Sequence, residues 1–228
     1  MTAFLHFAEH RLQEIALVFM ALVYTTRLIW LFRFKAGRDR QPRTGATRRS
    51  TRFTSLYSIA NVAMPWAMES TRKRPLFWLQ FVLFHLGVVA AITLSFVIPY
   101  GPGLLASSTV VRLFQGFIGA AFLVGVGRII RRIAVPVMRA ISTPDDYFCL
   151  VLLTTWFAFA FLASPNPHVT ATGQWHLLIY FLLTAFFLVY VPFSKISHYL
   201  YYPITRFYFG RTMGHRGVYP VRRGAPAS

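Results

Sequence analysis

Five long apolar stretches constrain the fold of this chain more than any other feature. They lie near 12–34, 76–98, 105–127, 146–163 and 175–197. A helix of about 20 apolar residues spans the hydrocarbon core of a bilayer, so each stretch predicts a transmembrane helix. The chain is 56% hydrophobic, with a mean hydropathy of +0.51, which excludes an ordinary water-soluble domain. We therefore expect an all-α membrane protein with a single membrane domain over residues 1–228.

The chain is strongly basic, and the distribution of its basic residues predicts its orientation in the membrane. The sequence has 24 Lys and Arg against 6 Asp and Glu, a net charge of +18 at pH 7. Ten of these bases lie at 35–75 and others follow the third and fifth stretches, whereas 99–104 and 164–174 contain none. Because basic loops stay in the cytoplasm, we expect the N-terminus outside and the C-terminus inside. The cytoplasmic parts would be a basic loop at 35–75 and a basic tail at 203–228.

Two further expectations concern these polar segments. Residues 1–11 include Glu9 and lack a basic region, so we expect no cleavable signal peptide and a first helix that stays as an anchor. The Gly, Pro, Thr and Ser content of residues 35–52 is typical of flexible or partner-ordered chain, and the tail after Gly210 is similar. Clustered arginines also permit an RNA or anionic-lipid patch. We prefer the topological explanation and expect no nucleic-acid partner.

The single cysteine limits the cofactors. With Cys149 alone, the chain cannot form an internal disulfide, a thiolate-bound iron–sulfur cluster or a haem attached through a C-x-x-C-H motif. Cys149 lies in an apolar run and is best explained as a small core residue. Any cofactor must therefore be held by other side chains.

Two of the seven histidines suggest a cofactor site. His85 lies well inside the second apolar stretch, where an unpartnered imidazole would be costly. His198 ends the fifth predicted helix on the cytoplasmic side, so both imidazoles can reach one depth. Two neutral imidazoles from different helices suit a low-spin b-type haem. The alternatives are a helix–helix hydrogen bond and a histidine-bound metal, for which a third ligand is lacking because Asp145 and Asp146 lie at a helix end.

Three other features have both a structural and a functional explanation. Residues 142–146 (STPDD) are typical of a helix start, with a hydroxyl cap, a proline and carboxylates in the first turn. The third helix contains four glycines, which permit close approach by a macrocycle or by another helix. They are Gly116, Gly119, Gly125 and Gly127. Arg112 is a candidate contact for a haem propionate or a quinone oxygen, unless it only extends to the interface.

These motifs together resemble a known family. The relevant stretches are 84–88 (FHLGV), 131–136 (RRIAVP) with Arg139, 142–146 (STPDD) and 192–198 (PFSKISH). They are similar to the gamma subunit of respiratory nitrate reductase, a membrane cytochrome b, and to related subunits of the sulfate-reducer transmembrane complexes of the high-molecular-weight cytochrome c type. The last motif is the most specific of the four.

The resemblance implies haem ligands but also a departure from the family. Members hold two stacked haems with four histidines, and His85 and His198 match the pair for the cytoplasmic-side haem. Ser95 and Tyr180 stand where the second pair is expected. We therefore expect one haem b. The alternative is a second, displaced haem that uses His176 together with His10, His168 or a ligand from a partner chain.

The resemblance also implies a function. We expect a haem b subunit of a respiratory complex in a bacterial inner membrane. It would carry electrons between the periplasmic side or the quinone pool, with menaquinone as a candidate, and a cytoplasmic iron–sulfur subunit. Other membrane subunits and a periplasmic multihaem cytochrome c are candidate partners, and Arg128 and Lys195 are candidate propionate contacts by position. The competing hypotheses are a cofactor-free membrane anchor of such a complex and a small transporter that uses His85 as a proton site.

Overall fold

The structure is a computed structural model that describes residues 2–35, 37, 39–46, 48–165 and 174–221. In these residues the chain forms α-helices, short 3₁₀ turns and no strand. The α-helices are α1 (Thr2–Glu9), α2 (Arg11–Arg33), α3 (Thr51–Ala60), α4 (Glu69–Lys73), α5 (Pro75–Tyr100), α6 (Ser108–Ala134), α7 (Pro136–Ile141), α8 (Pro144–Ala163), α9 (Trp175–Tyr190) and α10 (His198–His215).

Five segments of this helical structure are long and apolar enough to cross a membrane. They are Ala3–Arg33, Pro75–Tyr100, Ser108–Ala134, Pro144–Ala163 and Trp175–Phe193. Each contains most of one predicted apolar stretch, so the prediction of five helices of spanning length in an all-α protein is confirmed. The chain is a multi-pass membrane protein in contact with the lipid bilayer.

The third predicted helix is longer than the apolar pattern indicated. It was expected near 105–127, but α6 continues to Ala134, so Arg128 and its basic neighbours lie on the helix rather than after it. Arginine is a good helix former, and a run of bases does not end a helix. The helix ends where Pro136 requires an extended residue before it, and Val135 has φ −91° and ψ 115°.

The fifth predicted helix is shorter than expected, and the position of His198 changes with it. The apolar pattern placed a helix near 175–197, but α9 ends at Tyr190 and two 3₁₀ turns follow. Pro192 has no N–H to donate and its ring obstructs the preceding turn, so the α-helix cannot continue through it. His198 therefore begins α10 instead of ending the fifth helix.

The first of two compact units comprises Met1–Arg27 and Leu79–Lys195. Within it α6 packs on α8, α8 on α9 and α1 on α9. Phe157 and Phe181 are completely buried in its core. The amide of Gln13 is also buried, and its Nε2 donates to the carbonyl of Phe181 at 2.8 Å. This polar bond inside an apolar unit links α2 to α9.

The second unit comprises Leu28–Trp78 and Ile196–Ser228, and its described part is built on α3 packed against α10. Ser50 caps α3 by accepting a hydrogen bond from the backbone N–H of Phe53 at 3.2 Å. A Cβ atom at Gly210 would lie 2.7 Å from Ser55 Cα and 2.8 Å from Ser58 Cβ, so the two helices touch through backbone and small side chains. Helix α3 begins at Thr51, at the end of the segment 35–52 that was expected to be flexible or partner-ordered, and α10 continues past Gly210 to His215. Composition alone does not show that two distant segments pack together.

An ion pair ties the start of the basic loop to the end of α10. Arg216 Nε donates to Asp39 Oδ2 at 2.6 Å, and Arg216 Nη2 donates to Oδ1 at 3.2 Å. The carbonyl of Arg216 accepts hydrogen bonds from the N–H groups of Thr44 and Gly45 at 3.1 and 3.0 Å. The hydrogen bond from Arg216 lowers the pKa of Asp39 below its model-peptide value.

We expect this pair to give the second unit a component of acid sensitivity. A carboxylate whose pKa is lowered in the folded state stabilises the fold above its unfolded pKa of about 3.9, and that contribution is lost as pH falls through the folded pKa. Thermal unfolding should therefore be less dependent on pH between about pH 6 and about pH 3 in Asp39→Asn than in the unmodified protein. Glu69→Gln is the matched control because Glu69 makes only an exposed pair with Lys73. An unchanged pH dependence in Asp39→Asn would contradict this role.

Candidate functional site

His85 lies on α5 and its ring orientation is fixed by the helix itself. The ring is partly buried, and Nδ1 lies 2.7 Å from the carbonyl oxygen of Phe81, one turn earlier. Because a carbonyl only accepts, Nδ1 carries the proton in this bond and Nε2 carries the lone pair. This is the tautomer that a histidine needs in order to bind a metal centre through Nε2.

Arg128 of α6 lies beside the same turn of α5. Its guanidinium carbon is 4.7 Å from the centre of the Phe84 ring, within range of a cation–π contact. The Phe84 ring lies 6.2 Å from the His85 ring. Arg128 therefore contacts Phe84, the residue next to His85, within the first unit.

Close packing of α5 on α6 makes this neighbourhood possible. A Cβ atom at Gly87 would overlap the methyl group of Ala121 and would lie 3.0 Å from the Phe117 carbonyl oxygen. Gly125, also on α6, faces Thr154 of α8 in a similar way, with 3.3 Å between the added Cβ and Thr154 Cβ. These glycines serve helix packing. At Gly116 and Gly127 an added Cβ would meet no atom of the described residues within 4 Å.

Lys195 is held by the start of α8. Its Nζ lies 3.0 Å from Asp146 Oδ1 and 2.9 Å from Thr143 Oγ1. Asp146 also accepts a hydrogen bond from the backbone N–H of Thr143 at 2.8 Å, which confirms the predicted capping role of this motif. Lys195 belongs to the first unit, whereas His198, three residues later, belongs to the second. The pairing of His85 with His198 stays a prediction.

One contact at the end of α9 was missed by sequence reasoning. Arg27, inside the first span, donates a hydrogen bond to the Pro192 carbonyl, and its guanidinium carbon lies 5.1 Å from the centre of the Phe193 ring. A cation at a helix C-terminus is stabilised by the carbonyls that lack helical partners there. An arginine within an apolar stretch was the available signal, since such a residue must find a polar partner.

The positions where the resemblance places a second histidine pair are filled by a packed polar cluster. Tyr180 is completely buried, and its hydroxyl donates to the Ala91 carbonyl at 2.5 Å. Its ring stacks on Trp156, whose indole N–H donates to Thr184 Oγ1 at 2.8 Å. Ser95 donates to the Ile92 carbonyl at 2.7 Å. These side chains lie in the first unit, and each of the three donors has a hydrogen-bond partner there.

The remaining predicted residues lie near the ends of helices. His176 is in the first turn of α9, with its ring at 5.9 Å from that of Trp175. Arg112 donates to the carbonyl and hydroxyl oxygens of Ser108, one turn earlier on α6. His10 lies between α1 and α2, and its Nδ1 is 3.3 Å from the His6 carbonyl. His168 lies outside the described residues.

Potential metal ligands do not cluster in the described residues. Within the described parts of the chain, no group of three or more His, Cys, Asp or Glu side chains could hold a metal ion. Cys149 is buried and lies 3.2 Å from the hydroxyl of Tyr190.

The chain is similar to a curated bacterial protein but matches no family model. The chain is 29% identical over 174 residues to a curated protein of Nitratidesulfovibrio vulgaris (strain Hildenborough) described only as "Protein", an alignment that covers 71% of this chain and 69% of the relative. No family model matches the chain. No solved structure matches it either.

Proposed function

We propose that this chain is the haem b subunit of a respiratory redox complex in a bacterial inner membrane, of the kind that its motifs resemble. It would carry electrons between the periplasmic side or the quinone pool and a cytoplasmic iron–sulfur partner. His85 and His198 would be the two axial ligands of the haem iron. The observation that carries the proposal is His85, an intramembrane imidazole whose Nδ1–H is bound to the Phe81 carbonyl, so that Nε2 has the lone pair of a ligand.

In such a site the haem and the side chains of this chain would have different roles. Bound haem would supply a one-electron couple that the amino acids lack. The Phe81 carbonyl sets the tautomer of His85 and increases the basicity of its ring. Arg128, beside Phe84, offers a guanidinium for a propionate. Lys195 is the second candidate, and its contacts with Asp146 and Thr143 would be shared or exchanged when it binds an anion.

The packing around Tyr180 supports a single haem per chain. Replacing the buried Tyr180 and Ser95 contacts with a macrocycle would require the core of the first unit to separate, at the cost of the hydrogen bond to Ala91 and the stacking on Trp156. A second haem bound by His176 near the start of α9 is the alternative, and it would need a further ligand. Menaquinone is the proposed quinone, with Arg112 as a candidate contact.

Orientation and partners belong to the same proposal. The N-terminus would lie outside and the C-terminus in the cytoplasm, so that the basic second unit faces a cytoplasmic iron–sulfur subunit. Other membrane subunits, and a periplasmic multihaem cytochrome c as electron donor, would complete the complex. The second hypothesis, a cofactor-free anchor of such a complex, is favoured by the self-contained Tyr180 cluster, because that half of the first unit needs no cofactor to fill it.

A reduced-minus-oxidised difference spectrum of the purified complex tests the proposal. Pyridine-haemochrome analysis, corrected for c-type haem, should give one b-type haem for each copy of this chain. Two b haems would contradict the single-haem assignment and identify His176 as the residue to mutate next. A b-haem content of zero in a folded complex that retains its partners would reject the haem proposal in favour of the anchor.

A further inference from the structure

The outward side of α3 combines arginines with exposed apolar side chains. Arg52, Phe53 and Leu56 lie on the side of α3 opposite to the buried residues that contact α10. Phe53 is 44% exposed and Leu56 is 66% exposed. Arg49, just before the helix, lies over the Phe53 ring at 5.3 Å from its centre. We refer to Arg49, Arg52, Phe53 and Leu56 as the α3 outer face.

The charge around this face is not neutralised within the unit. Sixteen of the 24 Lys and Arg but only two of the six Asp and Glu fall in the second unit, so it carries +14 of the net +18. Both of its acidic residues are already engaged, Asp39 with Arg216 and Glu69 with Lys73. None of the ion pairs in the described parts of the chain includes Arg49 or Arg52. The α3 outer face is therefore electrostatically suited to an anionic partner.

The apolar members of the face restrict the kind of partner. A site for polyanions alone does not need an exposed Phe and Leu, which are costly in water. An interfacial helix pairs such residues with Arg or Lys, because its apolar side chains enter the acyl boundary while its bases contact phosphates. The combination on α3 matches this arrangement, and guanidinium groups bind phosphate oxygens in a bidentate manner.

The short chain segments between the membrane spans and these helices favour a membrane as the partner. α2 belongs to a membrane span that ends at Arg33, and the chain reaches α3 at Thr51. The last span ends at Phe193, and α10, on which α3 packs, begins at His198. α3 thus begins 18 residues after the end of one span and α10 begins five residues after the end of another, which gives a high effective concentration of lipid headgroups around them.

We propose that the α3 outer face binds the headgroups of anionic phospholipids, with Arg49 and Arg52 on phosphates and with Phe53 and Leu56 at the acyl boundary. This binding needs only a membrane-spanning chain and is independent of the haem. Each basic side chain near an anionic surface strengthens the association by about fivefold at ordinary ionic strength. Loss of both arginines should therefore weaken it by roughly twenty-five-fold.

Amide hydrogen exchange of the full chain in lipid nanodiscs tests the proposal. One set of nanodiscs contains phosphatidylcholine only, and the other contains phosphatidylcholine with phosphatidylglycerol. We expect exchange across 51–60 to be several-fold slower in the anionic nanodiscs at low salt, and the difference to vanish in about 1 M salt, where the screening length falls to about 3 Å. The double variant Arg49→Gln/Arg52→Gln should lose the difference, whereas Arg139→Gln, an exposed arginine of α7, should keep it.

Two results would overturn the proposal. One is an equal rate of amide exchange across 51–60 in the two kinds of nanodisc, in a protein whose α10 peptides exchange slowly and so show that the second unit is folded. The other is protection by added poly-L-glutamate in phosphatidylcholine nanodiscs without any protection by phosphatidylglycerol, which would assign the face to an acidic protein. Leu56→Gln provides a further check, because it should weaken lipid protection and leave any binding of poly-L-glutamate unchanged.

Discussion

Replacing His85 with alanine should remove the proposed b-type haem from this protein. An intramembrane histidine that ligates iron contributes a bond that no neighbouring side chain can replace, and the Phe81 carbonyl orients the ring of His85 for this role. His198→Ala should have the same effect if the two histidines share one haem. The measurement is the b-type absorbance per chain, by difference spectrum and pyridine haemochrome, in membranes with equal amounts of the subunit.

Controls separate ligation from a failure to fold. His176→Ala changes a histidine in the first turn of α9 and should retain the full haem content. His85→Gly with added imidazole should recover part of the absorbance, because a free imidazole can occupy the ligand position, whereas a folding defect would not respond to it. Full haem in either His85→Ala or His198→Ala would reject that residue as a ligand.

The apolar pattern predicted the spans because a bilayer imposes one simple requirement on a sequence. Length and hydropathy alone identify about 20 residues that can cross it, and no information about partners is needed. The helix start at residues 142–146 was predictable for a similar reason, since Thr143 and Asp146 cap α8 through contacts within one turn. Interactions that are local or set by the solvent can be read from the chain directly.

The parts that were not predicted depend on contacts between distant residues. Gly210 permits α10 to touch α3, about 150 residues earlier, and no local pattern indicates that partner. The hydrogen bond from Arg27 to the Pro192 carbonyl likewise joins the first span to the end of α9. The end of α9 itself was missed because hydropathy continues through Pro192, while backbone geometry does not.

A methyl group at Gly87 should destabilise the first unit more than the same change at other helical glycines. The added Cβ would overlap Ala121 Cβ, which is attached directly to the α6 backbone and cannot rotate away. The Phe117 carbonyl oxygen, 3.0 Å away, blocks a small shift in one direction. The two helices would have to separate, and overpacking of this kind typically costs about 1–3 kcal/mol. We therefore expect Gly87→Ala to lower the melting temperature of the detergent-solubilised protein.

Gly116→Ala and Gly127→Ala are matched controls on α6 itself. An added Cβ at either position meets none of the described atoms within 4 Å, and alanine is a better helix former than glycine. Both variants should melt at or above the temperature of the unmodified protein. A Gly87→Ala protein that melts together with these controls would show that α5 and α6 are not in close contact at Gly87. Because Gly87 lies two residues after His85, a destabilised Gly87→Ala protein should also bind haem less completely, which connects the packing of these helices to the proposed ligand.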